Sequence, residues 1–327
     1  MKDDARRFFA LAMDAAKMDD VPEVISALQQ GLALDPAQPF FWAWLGKQYN
    51  EREQYAAACD AFARAISLDP NQALAYTGCG EAMAAIGKVR EAEAAYRTSV
   101  ELGPAAYRFV LLGNVQESLG MRTEAEASFR QALRLDPRDE EAMFNLALLL
   151  KASKPQEAER LLRNAIEIDP DYSVALAELG FHLGRRGTDG EAEVLIRRSI
   201  ELDPSLPWPR IYLANLLRAQ GNYKAAASEL EIASELAPDI GLTHRWLGDC
   251  YSDLDDLAQA EFHFRRAVAV DPDDPECAFS LGEFLLERGQ KHEAMQWLDR
   301  AAKCGNSMAE RVGELLLESG LDYLMSE

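Results

Sequence analysis

Three asparagines, Asn114, Asn145 and Asn215, carry the most specific chemistry in this sequence. Each side-chain amide can pair at once with the C=O and the N–H of an extended peptide, though each is equally well explained as a solvated surface amide. Large residues stand on other positions not needed for a core: Phe40, Trp44, Tyr107, Phe181, Trp208, Tyr212 and Trp246. The densest group is Trp208, Tyr212 and Asn215 with Arg245, Trp246 and Asp249, aromatic anchors beside a few polar groups, as at the centre of an interface. Reaction chemistry has no comparable footing. There is no pair of acids at glycosidase spacing, no G-x-S-x-G elbow, no glycine-rich phosphate loop and no nucleophile paired with a base. His263 near Glu261 and His292 beside Glu293 are neighbours that diverge on a helix, so they have no metal-ligand spacing. No catalytic residue, metal or cofactor is expected.

The elements that must position these residues can be read from residues 39–70. Trp42, Leu45, Gly46 and Tyr49 recur at intervals of three and four and share one helical face, and Gly46 lets a neighbouring element approach closely. Ala58, Phe62, Ala65 and Ile66 repeat the spacing in a second helix, where small alanines leave room for large rings opposite. Asp69 precedes a proline and is pushed out of the α region, and Pro70 has no N–H with which to continue. The second helix must stop there.

This helix-turn-helix, with Trp42, Leu45-Gly46, Tyr49, Ala58, Phe62 and a closing Pro70, resembles the tetratricopeptide repeat (TPR) at every signature place. Closing prolines stand at 36, 70, 104, 137, 170, 204, 238 and 272, and Asn306 takes the next place. The period predicts nine units over about 5–38, 39–72, 73–105, 106–138, 139–171, 173–206, 207–240, 241–274 and 275–308, with a closing helix over about 309–319. The expected fold is all-α, a single solenoid over 1–327. The resemblance implies a right-handed superhelix whose first helices line its concave side, with a function in binding another protein.

The first unit is degenerate and reads as an N-terminal cap, with Asp20 and Glu23 forming a capping box around Pro22. The fifth unit is one residue short, and the deletion falls in the turn at residues 153–155. Gly87, Gly120, Gly187, Gly221 and Gly289 share the place between paired helices where a left-handed residue is wanted. Asp19 and Asp255 tolerate that conformation, whereas Glu53 and the fifth unit depart from the rule and predict looser turns. Beyond the ninth unit, Val312, Leu315 and Leu316 make one more apolar face, and residues 321–327 are expected to fray.

If places four, seven, eight and eleven of a first helix face the core, places two, six, nine and thirteen face away and are free for a partner. Those places carry the aromatic residues above, although place two also abuts the next unit, which would make Phe40, Tyr107 and Trp208 partly core. TPR proteins that grip a C-terminal carboxylate need cations beside their asparagines. Here Val110, Val174 and Glu178 stand in those places, which argues against such a clamp. A second-helix stripe of Arg64, Arg97, Arg130, Arg163, Arg197-Arg198, Arg265-Arg266 and Arg300 is explained by pairing with glutamates one turn away.

The net charge of −21 disfavours nucleic acid, whose phosphates a basic surface must offset. Residues 205–327 alone hold 22 acids against 11 bases, which suits either a solvated face or a basic partner. The five cysteines, Cys59, Cys79, Cys250, Cys277 and Cys304, form no C-x-x-C pair and predict buried or half-buried thiols in a reducing compartment. Arg6-Arg7 is a faint echo of an export signal, but Asp14, Lys17 and Asp20 interrupt any apolar segment behind it. A cytoplasmic location is expected, and no stretch approaches the ~20 apolar residues a membrane span needs. The reading is therefore a non-enzymatic scaffold for a protein or peptide partner. Its rivals are self-association, including a homo-oligomer, and service as the regulatory module of a separately encoded enzyme.

Overall fold

The computed structural model describes residues 2–18 and 20–319, and among them it holds nineteen α-helices and no strand. Residues up to Asp169 form one compact body. Its helices are α1 (Lys2–Lys17), α2 (Val21–Leu34), α3 (Pro39–Glu51), α4 (Tyr55–Leu68), α5 (Ala73–Ala85), α6 (Val89–Leu102), α7 (Ala106–Ser118), α8 (Arg122–Leu135), α9 (Glu140–Leu150) and α10 (Pro155–Ile168). Residues from Pro170 form a second body. It contains α11 (Ser173–Gly184), α12 (Asp189–Leu202), α13 (Pro207–Ala219), α14 (Tyr223–Leu236), α15 (Gly241–Asp253), α16 (Leu257–Val270), α17 (Pro275–Glu287), α18 (Lys291–Ala302) and α19 (Asn306–Glu318). Within each body every helix packs on the next, and first helices also touch one another, α3 on α5 and α7 on α9 in one, α11 on α13 and α15 on α17 in the other.

The close approach of paired helices follows from the small residue of each first helix. A Cβ added to Gly46 would stand 2.9 Å from the Phe62 ring, and one added to Gly248 would stand 2.6 Å from that of Phe264. Both rings are buried, so any larger residue there forces the helices apart. Alanines opposite complete the seam: Ala58, Ala65, Ala260 and Ala267 are each 0 % exposed.

Turn chemistry fixes the helix ends. Asp69 is extended, with φ −144°, and its N–H still donates to the Ala65 carbonyl before Pro70 ends the ladder. The five glycines between paired helices take positive φ, as does Asp255 at 61°. Glu53 corrects the sequence expectation: it takes the same left-handed conformation, φ 58°, and the turn is not loose. The Gln54 N–H donates to the Tyr49 carbonyl at 2.9 Å and the Glu53 N–H to that of Asn50, so two closing bonds hold a strained residue in place. The shortened turn after α9 does differ. There the Ser153 and Lys154 amides both donate to Leu150 and no residue has positive φ.

Asp20 caps α2 by accepting from the Glu23 N–H at 3.2 Å. The closing helix α19 begins three residues before its expected start and buries Met308, Val312 and Leu316 against the helices before it. Asp19 and the tail over residues 321–327 lie outside the described residues.

Candidate functional site

Place six of α3 illustrates how sequence spacing misjudged exposure. Trp44, expected to face away from the core, is half-buried, because Phe9 of α1 lies against it at a ring distance of 5.2 Å and stacks on Phe41 at 5.0 Å. Phe40 remains 53 % exposed although its ring meets Phe9 at 5.3 Å. Trp42, expected as core, is also half-buried. Its Nε1–H donates to the Pro36 carbonyl at 2.8 Å, and with Leu45 and Tyr49 it walls an open groove of about 900 Å³ between α2 and α4.

In the same body Asn114 and Asn145 come together across α7 and α9. Asn145 Nδ2 donates to Asn114 Oδ1 at 3.0 Å, which uses one donor and one acceptor and leaves the rest of both amides for other contacts. Asn114 is exposed and Asn145 half-buried.

The second body gathers the other aromatic residues. Phe181 of α11 and Tyr212 of α13 stack at 4.4 Å with an interplanar angle of 20°, and Trp208 stands 6.1 Å from Tyr212. Tyr212 Oη donates to Glu178 Oε2 at 3.0 Å. Burial, then the neighbouring Glu178 carboxylate, drives the Tyr212 phenol pKa up, so this hydroxyl stays protonated and keeps donating. Trp208 is 47 % exposed, while Asn215 lies with Phe181 and Tyr212 along a pocket of about 210 Å³.

Trp246 on α15 departs from the free face that spacing predicts. Trp246 is half-buried against the α13–α15 core, and the Arg218 guanidinium lies 5.2 Å from its ring centre. Arg218 also pairs with Asp249 at 2.5 Å. Arg245 is half-buried with an Nε that has no hydrogen-bond partner among the described residues, a cost that the neighbouring Asp249 offsets in part through charge. Burial pushes the Asp249 carboxyl up, while Arg218 and Arg245 act to lower it.

Spacing gave no hint of Arg218, because its partners sit on another helix pair, 31 residues away for Asp249. It also missed the meeting of His244 on α15 with His263 on α16, whose Nδ1 atoms are 3.3 Å apart. Tyr251 stacks on His263 at 5.5 Å and its hydroxyl donates to Glu231, which pushes that phenol up to about 12. Among the described residues no three His, Cys, Asp or Glu side chains could hold a metal ion.

Five of the nine arginines of the stripe pair as the spacing predicts, while Arg198 reaches Asp171 and Arg300 the Pro272 carbonyl instead. Arg97, Arg130, Arg163, Arg197 and Arg265 pair with Glu93, Glu126, Glu159, Glu193 and Glu261. Arg130 and Arg265 also reach the next helix pair through Glu157 and Glu293. The cysteines are free; Cys79, Cys250 and Cys277 are buried and Cys59 half-buried, but Cys304, expected to be sheltered, is exposed at the end of α18. No helix among the described residues is long and apolar enough to cross a membrane.

Tetratricopeptide-repeat family models match residues 110–173, 213–263 and 244–315, and a TPR-repeat model matches residues 46–87. Together these stretches cover more than half of the chain, and the protein belongs to the tetratricopeptide repeat family. Among solved structures, a tetratricopeptide repeat protein from Parabacteroides merdae ATCC 43184 is 18 % identical, covers 75 % of this chain and 97 % of its own, and superposes with a TM-score of 0.59. That likeness supports the all-α repeat fold. MamA protein is 22 % identical over 52 % of this chain and 94 % of its own, with a TM-score of 0.48. YrrB, described as a TPR protein with an unusual peptide-binding site, is 25 % identical over 57 % of this chain and 96 % of its own, with a TM-score of 0.45.

Proposed function

We propose that the protein is a non-catalytic scaffold of nine repeats closed by α19, which binds a segment of a partner protein along its first helices. The observation that carries this reading is Trp208, a large ring left 47 % exposed beside the Phe181–Tyr212 stack. An apolar surface kept in water costs free energy, and an exposed aromatic group with a pocket and an amide at its edge has the make-up of an interface anchor. Asn215 supplies the amide there, and the Asn114–Asn145 pair offers a second polar contact in the other body. Trp44, Arg245 and Trp246 serve as supports of the surface, since core packing holds Trp44 and Trp246 and both Arg245 and Trp246 are half-buried. Free thiols support a reducing, cytoplasmic setting.

Affinity capture with the wild-type chain and with Trp208→Ala tests the reading. Partners recovered by the first and lost by the second support it, and equal recovery overturns it. A second reading, self-association, is favoured by Leu317, which is 63 % exposed on the closing helix α19. Sedimentation at two concentrations separates the two, because only self-association shifts with concentration.

A further inference from the structure

Near the C-terminal ends of α13, α15 and α17, a pocket of about 220 Å³ is lined by four carboxylates, Asp249, Asp253, Glu283 and Glu287. Its one cation, Arg218, is taken by Asp249 at 2.5 Å. Asp253, Glu283 and Glu287 have no ion-pair partner among the described residues. Glu283 bears a cost there: burial first, then Glu287 and Asp249, drive its carboxyl pKa up, with only Arg311 opposing, while Asp253 and Glu287 stand exposed at the rim. Asp253 and Glu287 are also the final residues of α15 and α17, where the helix dipole disfavours an anion, and neither helix has a basic residue in its last turn.

Two further features say what would relieve the cost. Ser280 is only 9 % exposed and lines the same pocket, and its hydroxyl makes no hydrogen bond among the described residues. The pocket also touches the buried rings of Phe264 and Phe284, whose centres are 5.2 Å apart. Carboxylates around an apolar floor, with an unused hydroxyl, suit a cationic head on an apolar stem. No three of the acids could hold a metal ion. We propose that this pocket receives a lysine or arginine side chain of the partner segment, the stem lying on Phe264 and Phe284 and the head among Asp253, Glu283 and Glu287. The assignment rests on the reading that the partner runs along the first helices.

The test is fluorine NMR of the full chain labelled with para-fluorophenylalanine, titrated with N-acetyl-lysine methylamide and with its uncharged analogue N-acetylnorleucine methylamide. The lysine probe is expected to shift the Phe264 and Phe284 signals saturably and to bind at least about tenfold more tightly than the analogue. The double variant Asp253→Asn/Glu283→Gln should weaken the lysine probe by about tenfold, while Glu124→Gln/Glu167→Gln, the same charge change on exposed residues of the other body, should leave it unchanged. Equal binding of the two probes, equal loss in the two double variants, or no shift at either ring would overturn the assignment. Titration of a captured partner separates its failure from that of the broader reading. Binding lost in Trp208→Ala but kept in Asp253→Asn/Glu283→Gln removes the cation pocket alone, and binding kept in both removes the first-helix reading itself.

Discussion

Trp208 and Trp246 differ in what lies over their rings, and the difference separates stability from binding. Trp208 is exposed and makes one loose ring contact, so Trp208→Ala should change stability by less than about 0.5 kcal/mol in a thermal or urea melt. Trp246 packs into a core and carries Arg218 on its face, so Trp246→Ala should cost roughly 2 kcal/mol in the same melt, less than a fully buried tryptophan. Glu53 offers the opposite sign. Its φ of 58° is a strained conformation for a residue with a Cβ, and Glu53→Gly should raise stability by about 1 kcal/mol, read as a shifted urea midpoint. The histidine pair gives a pH dependence. His263 is held neutral by burial and by His244, which lower its pKa to about 4, and His244 is lowered by burial and then by Arg266. Glu231, joined to the Tyr251 hydroxyl, opposes the shift at His263. Because the folded values lie below the unfolded value near 6.5, the stability from these rings is complete above about pH 6.5 and falls as pH drops towards 4. Melting across that window should show the loss, and His263→Phe should flatten it.

At the scale of the helix, the architecture was legible because each element has its own local cause. The close pairing needs a glycine or alanine opposite a ring, as at Gly46 and Phe62, and the stop needs an acid followed by proline, as at Asp69 and Pro70. Both are spaced within one repeat and so appear as a period. What joins different helix pairs has no such spacing. Phe9 covers Trp44 from a repeat that departs from the period, and Arg218 meets Asp249 and Trp246 from the helix pair before them. Exposure was therefore misjudged at Trp44, Tyr212 and Trp246, which are half-buried, while Trp208, left open between core and surface by its spacing, is exposed. The Glu53 turn was misread because composition alone does not report two closing hydrogen bonds. Among the described helices, α1 and α19 are packed from one side only, and α1 buries only Ala12 and Ala15 among its described side chains. Hydrogen exchange should accordingly find amides of α1 and α19 opening faster than those of α7 and α11, and equal protection would contradict nearest-neighbour stability.

Over the whole molecule, two surfaces compete for the role of binding site. The second-helix surface has a basic stripe, but glutamates one turn away or on the next pair already occupy most of it, so it has little left to offer a partner. The first helices retain asparagine amides in the first body and, in the second, an exposed tryptophan and, near α15 and α17, carboxylates without ion-pair partners among the described residues. A net charge of −21 adds long-range attraction for a basic segment, which salt should weaken without abolishing the aromatic contribution. Hydrogen exchange of the full chain with and without its captured partner decides between the surfaces most directly. Added protection concentrated on α11, α13, α15 and α17 is the predicted result; protection concentrated on α12, α14, α16 and α18, with the first helices unchanged, would contradict it.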